Sequence, residues 1–333
     1  MKILVTGGAG YIGSTTAAHL LAAGHDVTVY DNLSRGYRAA VPPAAAFVQG
    51  DVGDRQRLDE TLAQGFDAVV HFAALIEAGE SMKVPAQYFQ NNVCRSVTLI
   101  DAAVAHGVRR FVFSSTAAVY ASKNGALNEE DPIQPANVYG QTKHTVEQVL
   151  GWYHQLYGLQ SCALRYFNAS GASIHSLGDG TMRGEAHRPE THLIPLVLQV
   201  ALGQREKIGI FGGDYPTPDG TNIRDYIHID DLAHAHVLAV EALGDAGAGV
   251  RVYNLGNGLG YSNKEVVETA RRITGHPIPA EITARRPGDA AVLVASSEKI
   301  NQELGWTPRY PRLETIIATA WEWHRTHPKG YDT

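Results

Sequence analysis

The apolar run Ile3–Thr6 turns at Gly7-Gly8-Ala9-Gly10 directly into a helical pattern, Ile12–Ala23, with a further glycine at Gly13. No other feature limits the fold so strongly. Glycines at positions 7, 10 and 13 permit a tight turn, close backbone approach of a pyrophosphate, and tight packing of helix on strand. The helix N-terminus then offers free N–H groups and a positive dipole end to an anion. A plain strand–turn–helix could use such glycines for structure alone. With a strand before the turn and a helix after it, the dinucleotide-binding reading is the stronger one.

The alternation continues. Asp26–Tyr30, Ala46–Gln49, Ala68–Phe72, Arg110–Ser114 and Cys162–Tyr166 read as strands, and Tyr88–His106 and Val138–Tyr157 as helices between them. Continuous Val, Ile and Phe runs separated by amphipathic helices indicate a parallel sheet covered on both faces. The fold class expected is therefore α/β, a doubly wound parallel Rossmann sheet with a smaller, loop-rich C-terminal substrate domain. Residues 1–168 form the nucleotide domain in this reading, with a returning segment near 222–256 that includes the strand-like Arg251–Leu255. Residues 169–333 mainly form the second domain, where Gly, Pro, His and Asp become frequent.

Composition narrows the partners. With 28 basic and 34 acidic residues and a net charge of -6, the chain has no basic block to track a phosphodiester backbone, so nucleic acid is not expected. Cys94 and Cys162 make no disulfide framework and lack metal-ligand spacing; no metal is expected, and His234 and His236 read as packing or surface residues. No stretch approaches the length of a membrane span, and the strand-like start at Lys2 shows no charged n-region before a long apolar run. A cytoplasmic location and no membrane partner are the expectations.

Asp31 follows the second strand, where a carboxylate can accept bonds from the adenosine ribose hydroxyls and repel a 2′-phosphate. That favours NAD over NADP, although Arg35 lies close enough to keep NADP open. Asp51-Val52, after the third strand, could place a carboxylate near the adenine amino group, or be an ordinary loop. Tyr139 and Lys143 open the Val138–Tyr157 pattern four residues apart, so both project from one helix face. A lysine cation beside the phenol is expected to lower its pKa from about 10 toward working pH. Ser114, Ser115 and Thr116 end the fifth strand at the carboxyl edge, where ligands bind in such sheets. A hydroxyl there could bond both a substrate oxygen and the tyrosine. Alone, a Tyr/Lys pair would be solvated surface.

Gly7–Gly13, Ser114–Thr116 and Tyr139-Gly-Gln-Thr-Lys143 resemble the extended short-chain dehydrogenase/reductase superfamily. Further segments resemble the UDP-glucose 4-epimerase family within it: His71-Phe-Ala-Ala-Leu75, Gly79-Glu-Ser81, Asn91-Asn-Val93, Arg165-Tyr-Phe-Asn168, Phe211-Gly-Gly-Asp-Tyr-Pro216, Arg224-Asp-Tyr-Ile-His228, Tyr253-Asn-Leu-Gly256 and Arg285-Arg-Pro-Gly-Asp289. The resemblance runs from Met1 nearly to Tyr331, and its second-half motifs are more specific than the glycine turn.

That resemblance implies reversible interconversion of UDP-glucose and UDP-galactose by transient oxidation at the sugar's fourth carbon, with NAD as cofactor. Tyr139 would be the acid/base, Thr116 would relay or orient the proton, and Lys143 would also hold the nicotinamide ribose. Gly7, Gly10, Tyr11, Ile12, Gly13, Asp31, Asn32, Asp51, Val52, Phe72, Ala73, Ala74, Asn91, Ser114, Tyr166 and Phe167 fall at cofactor positions; the apolar ones could equally be core packing. For the UDP-sugar, Arg224 and Arg286 match phosphate-binding arginines. Phe211 matches a uracil-stacking residue, Asp289 a ribose ligand, Asn168 a group near the diphosphate, and His192-Leu193 a loop over the sugar. The family often dimerises through two helices per subunit, so a homodimer through Tyr88–His106 and Val138–Tyr157 is expected.

Three positions depart from or modulate the pattern. Ile76 stands where some members carry Lys, and His192 where others have Asn. Leu293 matches a gate beside the sugar's second carbon, and its intermediate size leaves room for weaker action on the N-acetylhexosamine pair. Thr116 is followed by Ala117-Ala118 rather than the Asp-Glu pair of a 4,6-dehydratase. A 4-epimerase of UDP-glucuronate or UDP-xylose, a net NADP-dependent reductase, and a non-catalytic NAD-binding regulatory protein are the alternatives. Retention of Thr116, Tyr139 and Lys143 together speaks against the last.

Overall fold

The computed structural model describes residues 1–121, 123, 125–173, 179–244, 249–286 and 289–332. Six strands form in the order of the chain: β1 (Lys2–Thr6), β2 (Asp26–Asp31), β3 (Ala46–Gln49), β4 (Ala68–His71), β5 (Arg110–Thr116) and β6 (Gln160–Tyr166). With Val250–Leu255 they make a seven-stranded sheet, in spatial order β3-β2-β1-β4-β5-β6 and then Val250–Leu255. Every pairing in it is parallel. The strand order reverses between β1 and β4, the crevice where such sheets take ligands beyond their carboxyl ends.

Successive residues of one strand face opposite sides. Ile3 and Val5 of β1 join Val27, Val29, Val70, Val112 and Leu164 in one core layer, shared with helix α1 (Tyr11–Ala22) and the helix Ile229–Ala242. Leu4 points the other way, to Tyr30, Val69, Phe111 and Phe113 under the helices Arg95–Ala105 and Val138–Tyr157. Burial on both faces explains why these strands read as unbroken apolar runs.

Beyond β6 the strands are short. Asn168–Ser170 pairs with Tyr226–His228, Ile208–Phe211 with Ala280–Thr283, and Ile223–Arg224 lies between Tyr261–Ser262 and Val292–Leu293. The helices Leu193–Ala201, Asn263–Thr274 and Leu313–Thr326 bury Ile194, Leu198, Val266, Ile316 and Ile317 in a second core. Ile229–Ala242 and Val250–Leu255 return to the large sheet between these pieces.

The helix Val138–Tyr157 has local reasons to start and stop where it does. Asn137 caps it by accepting the Gly140 N–H at 2.8 Å, and Gly158 ends it at φ 71°. Tyr139 is thereby set in its first turn. The helix expected over Tyr88–His106 forms, running without interruption from Pro85 to Ala105, but it is not uniform. Pro85–Tyr88 leads into a wide π turn, Phe89–Cys94, before Arg95–Ala105. Such turns often mark functional sites. Asn92, buried within it, accepts the Leu75 N–H at 2.8 Å and donates to the Leu75 carbonyl at 2.9 Å. Those bonds fasten the segment after β4 to the helix.

His71 ends β4 fully buried, with Nδ1 2.7 Å from the Thr6 hydroxyl and Nε2 2.8 Å from that of Ser96. Burial, helped by the charge of Lys143, pushes its pKa down to about 3. The fold therefore holds the neutral imidazole. Below about 6.5 the unfolded chain binds a proton that the folded chain refuses, at a cost of about 1.4 kcal/mol per pH unit. Urea midpoints of the parent and His71→Gln, measured from pH 6 to pH 4.5, should show a shallower acid loss in the variant by that amount. Parallel curves would contradict a neutral buried His71.

Candidate active site

The glycine turn sits at the bottom of a cleft of about 300 Å³ at the carboxyl edge of the sheet. Gly7 has φ +73°, and a Cβ there would lie 2.5 Å from the Ala73 nitrogen; one on Gly13 would lie 2.2 Å from the Gly7 carbonyl oxygen. Both positions are closed by the protein's own backbone. Gly10 differs: its Cβ would meet only the Gly7 oxygen, at 3.3 Å, and the residue lines the cleft. It also precedes α1 without any side-chain cap, so the first-turn amides face the space unanswered by a side chain. That cradle fits a dinucleotide pyrophosphate.

Asp31 ends β2 and is buried at the cleft wall. Its carboxylate accepts the Ala9 N–H at 3.0 Å and the Leu33 N–H at 2.8 Å, and burial raises its pKa against those bonds. Both bonds fix its orientation and leave lone pairs for ribose hydroxyls. Asn32 donates to Asp51 at 2.9 Å, and Arg95 reaches the same oxygen at 2.7 Å. Arg95, four residues beyond Asn91 across the π turn, lines the cleft and was not singled out by sequence. Its signal was there: an arginine beside an Asn-Asn pair. Arg35 donates to the Arg188 carbonyl at 2.8 Å and lines the cleft.

Tyr11, Ile12, Val52, Phe72, Ala73, Ala74, Asn91, Ser114, Thr116, Tyr139, Tyr166 and Phe167 all line this cleft, as does Ile76. Alternation along β5 separates the three hydroxyls. Ser114 is bonded to the Tyr166 phenol, Ser115 turns away to donate to Glu147 at 2.5 Å, and Thr116 lies near enough to the Tyr139 phenol to oppose the rise in its pKa. Of the three, Thr116 is the one that acts on Tyr139 from the cleft wall.

Lys143 corrects an expectation. Its ammonium donates to the Ser114 carbonyl at 2.7 Å, and Nζ is 5.9 Å from the centre of the Tyr139 ring. It does not line the cleft. Burial pushes the Tyr139 phenol up to about 12, with Glu77 adding to the rise and Thr116 opposing it. Burial likewise brings Lys143 down to about 7, against the attraction of Glu147. Four-residue spacing puts both side chains on one helix face, but desolvation outweighs their mutual effect in the protein alone.

A second cavity of about 200 Å³ adjoins the first and shares Asn168 and His192 with it. Leu193, Phe211, Arg224, Arg286 and Asp289 line it, with Asn222, Tyr226 and Asn263, which sequence had not marked. The Arg286 guanidinium covers one face of Phe211 at 3.8 Å. Arg224 is held by the Ile223 and Ala290 carbonyls at 2.8 and 2.9 Å and faces Asp289 at 3.7 Å. Asn168 donates to the Asp225 carbonyl at 2.8 Å. Pro287 and Gly288 of the Arg285–Asp289 segment lie outside the described residues. Leu293 lines neither cavity. Parallel pairing sets it beside Arg224, and its side chain packs with Phe167 on Val119, Tyr120 and Leu127.

The model of the NAD dependent epimerase/dehydratase family matches residues 3–256. A UDP-glucose 4-epimerase of Halalkalibacterium halodurans is 52% identical, covering 100% of this chain and 98% of its own. One from Corynebacterium glutamicum is 54% identical over 96% of this chain and 95% of its own. Among solved structures, a UDP-glucose 4-epimerase from Brucella ovis in complex with NAD superimposes with a TM-score of 0.92. It is 46% identical and covers 96% of this chain and 97% of its own.

Proposed function

The chain belongs to the NAD dependent epimerase/dehydratase family, and from that premise we propose that it interconverts UDP-glucose and UDP-galactose at the sugar's fourth carbon. The observation that carries this reading is the junction of the two cavities. A dinucleotide cradle with a buried Tyr139–Thr116 pair opens, past Asn168 and His192, onto a chamber with two arginines and an aromatic ring. A nucleoside-diphosphate sugar spanning that junction would lay its diphosphate at the arginines and its sugar at the phenol.

Bound NAD supplies a hydride acceptor that can give the same hydride back, and a positively charged ring that favours the phenolate in this buried site. Tyr139 takes the proton of the 4-hydroxyl, with the Thr116 hydroxyl beside it to hold and relay that proton. Lys143, anchored on the Ser114 carbonyl, fixes the end of β5 against the helix that carries Tyr139. The 4-keto sugar turns about its diphosphate linkage, and Tyr139 returns the proton with the opposite configuration set. Arg224 and Arg286 hold the diphosphate as the pivot, Phe211 stacks on uracil, and Asp289 takes the uridine ribose. Gly7, Gly10, Gly13, Asp31 and Asp51 retain the cofactor through the turn.

Two copies would pair through the Phe89 and Val138–Tyr157 faces, in support of which Phe89, Trp152, Leu156 and Tyr157 are large apolar residues left exposed there.

The test is to incubate the purified protein with UDP-galactose and identify the product, without added cofactor, and then to denature it and assay the supernatant. UDP-glucose, together with near-stoichiometric NAD, is the expected result. Release of NADP, or turnover only with added cofactor, would replace the epimerase with a net reductase. Bound NAD without turnover would leave a binding protein.

A further inference from the structure

Residues 185–192 cross the mouth of the cofactor cleft and are fastened to both of its lips. Tyr37 donates to the Ala186 carbonyl and Arg35 to that of Arg188, each at 2.8 Å. On the other side Thr191 donates to Glu77 at 2.7 Å. The indole of Trp323 donates to the Glu185 carbonyl at 2.9 Å and ties the strap to the second core. Within this strap Glu185, His187 and His192 each bring one ligand-type atom to within 4.8 Å of the others, the one such group among the described residues. All three side chains line the cleft.

We propose that Glu185, His187 and His192 bind a divalent metal ion of the zinc class, which clips the strap closed across the cofactor cleft. Two imidazoles and one carboxylate are a donor set that suits a borderline cation of that class and leaves a fourth position for water or a ligand from the cleft. The local bonding supports this. Nδ1 of His187 lies 2.6 Å from Glu185 Oε1, so imidazole and carboxylate are already brought together as a pair whose proton a cation would replace. Once the proton is displaced, the two atoms need only part to roughly 3.3 Å to stand at two corners of a tetrahedral ion with bonds of about 2.0–2.1 Å. The Glu185 carboxylate is already aimed, because its Oε1 accepts the N–H groups of Ala186 and His187 at 2.9 Å each. His192 places Nδ1 2.8 Å from Glu190 Oε1, and that oxygen also accepts the N–H groups of Thr191 and His192 at 2.7 Å each. A ring held by an outer carboxylate through one nitrogen presents the other as a metal ligand in a fixed orientation. Glu77 and Glu190 add negative charge around the group, as felt by His192. The sequence spacing hid this site, since Glu-x-His-x₄-His carries no familiar zinc signature and no cysteine.

The test uses the NAD-bound protein in a Cys94→Ser background, so that the exposed thiol does not compete for metal. After chelator treatment and dialysis, Zn²⁺ is titrated against a chromophoric chelator, and Co²⁺ is added to a second sample for its visible spectrum. One equivalent of Zn²⁺ per chain is expected, with a four-coordinate Co²⁺ band. Loss of an outer partner alone typically costs 10–100-fold in metal affinity, so His187→Ala should weaken binding by at least about 100-fold. His187→Gln, which keeps a polar side chain, should do the same with an unchanged circular dichroism spectrum. Release of NAD after dilution should be faster in the stripped protein than in the zinc-loaded one. No stoichiometric Zn²⁺ in the parent, or an affinity in both His187 variants unchanged from that of the parent, would overturn the site and leave a carboxylate–imidazole cluster held by protons alone. Unchanged NAD release with zinc bound would overturn the clip.

Discussion

Tyr139→Phe is expected to lower turnover of UDP-galactose by at least about two decades while fold and bound NAD survive. The variant keeps the ring and the helix start, which rests on Asn137 and on the bond from the Tyr139 N–H to the Ser81 hydroxyl at 3.1 Å. It removes only the oxygen, whose pKa Thr116 lowers. Positioned general acid–base groups contribute typically ~10²–10⁴-fold, and no other phenol can replace this one. Tyr166, the neighbouring tyrosine, is already bonded to Ser114 and is pushed upward by burial and by Tyr139 itself. Turnover, melting temperature and NAD content would be measured on one preparation. Turnover within a few fold of the parent would remove Tyr139 from the chemistry. A fall in NAD content matching the fall in rate would make it a cofactor residue instead.

Arg165→Met is expected to destabilise the fold by about 3–5 kcal/mol, the typical cost of stripping one partner from a buried ion pair. Arg165 and Glu147 are both buried, and the guanidinium donates to the two carboxylate oxygens at 2.9 and 2.6 Å. Its third bond goes to the Tyr120 phenol at 2.9 Å, which in turn donates to Asn254 at 2.7 Å. Burial would raise the Glu147 pKa, yet Arg165, His144 and Ser115 hold it below the usual carboxylate range. Without the arginine, an ionised carboxylate is left in the core directly behind β5. Adding Glu147→Leu should recover most of the loss, because a well-packed apolar pair often replaces a buried ion pair at little cost. Denaturant unfolding at fixed, saturating NAD would measure both, since cofactor binding adds its own stabilisation. A single-variant change below about 1 kcal/mol, or no recovery in the double variant, would show that the pair is solvated or replaceable.

Much of the framework was legible because its causes are local. The apolar period of β1 to β6, the glycines that close the turn, and the Asn137 and Gly158 ends of the Tyr139 helix all act within a few residues. The Val138–Tyr157 boundaries agree at both ends. The π turn inside the Tyr88–His106 helix was not legible, since it accompanies a tie from Asn92 to Leu75, a bond between residues 17 apart.

By itself, the sequence determined that a dinucleotide cradle would form at the carboxyl edge of a parallel sheet, and that a tyrosine would stand beside it. Period, glycine conformation and helix capping are properties of short segments, and they survive whatever the rest of the chain does. Tertiary structure alone decided the partners of the polar side chains. Lys143 went to the Ser114 carbonyl rather than to the phenol, and Ser114 to Tyr166. Leu293 packed against Phe167 and Tyr120, and Glu185 met His187 and His192 across the cleft mouth. Those outcomes turn on distances of a few ångströms between side chains, most of them remote in the chain, and on burial, which moved the Tyr139 phenol up when the spacing with Lys143 implied down. Desolvation depends on everything packed around a group, and no short stretch of sequence contains that.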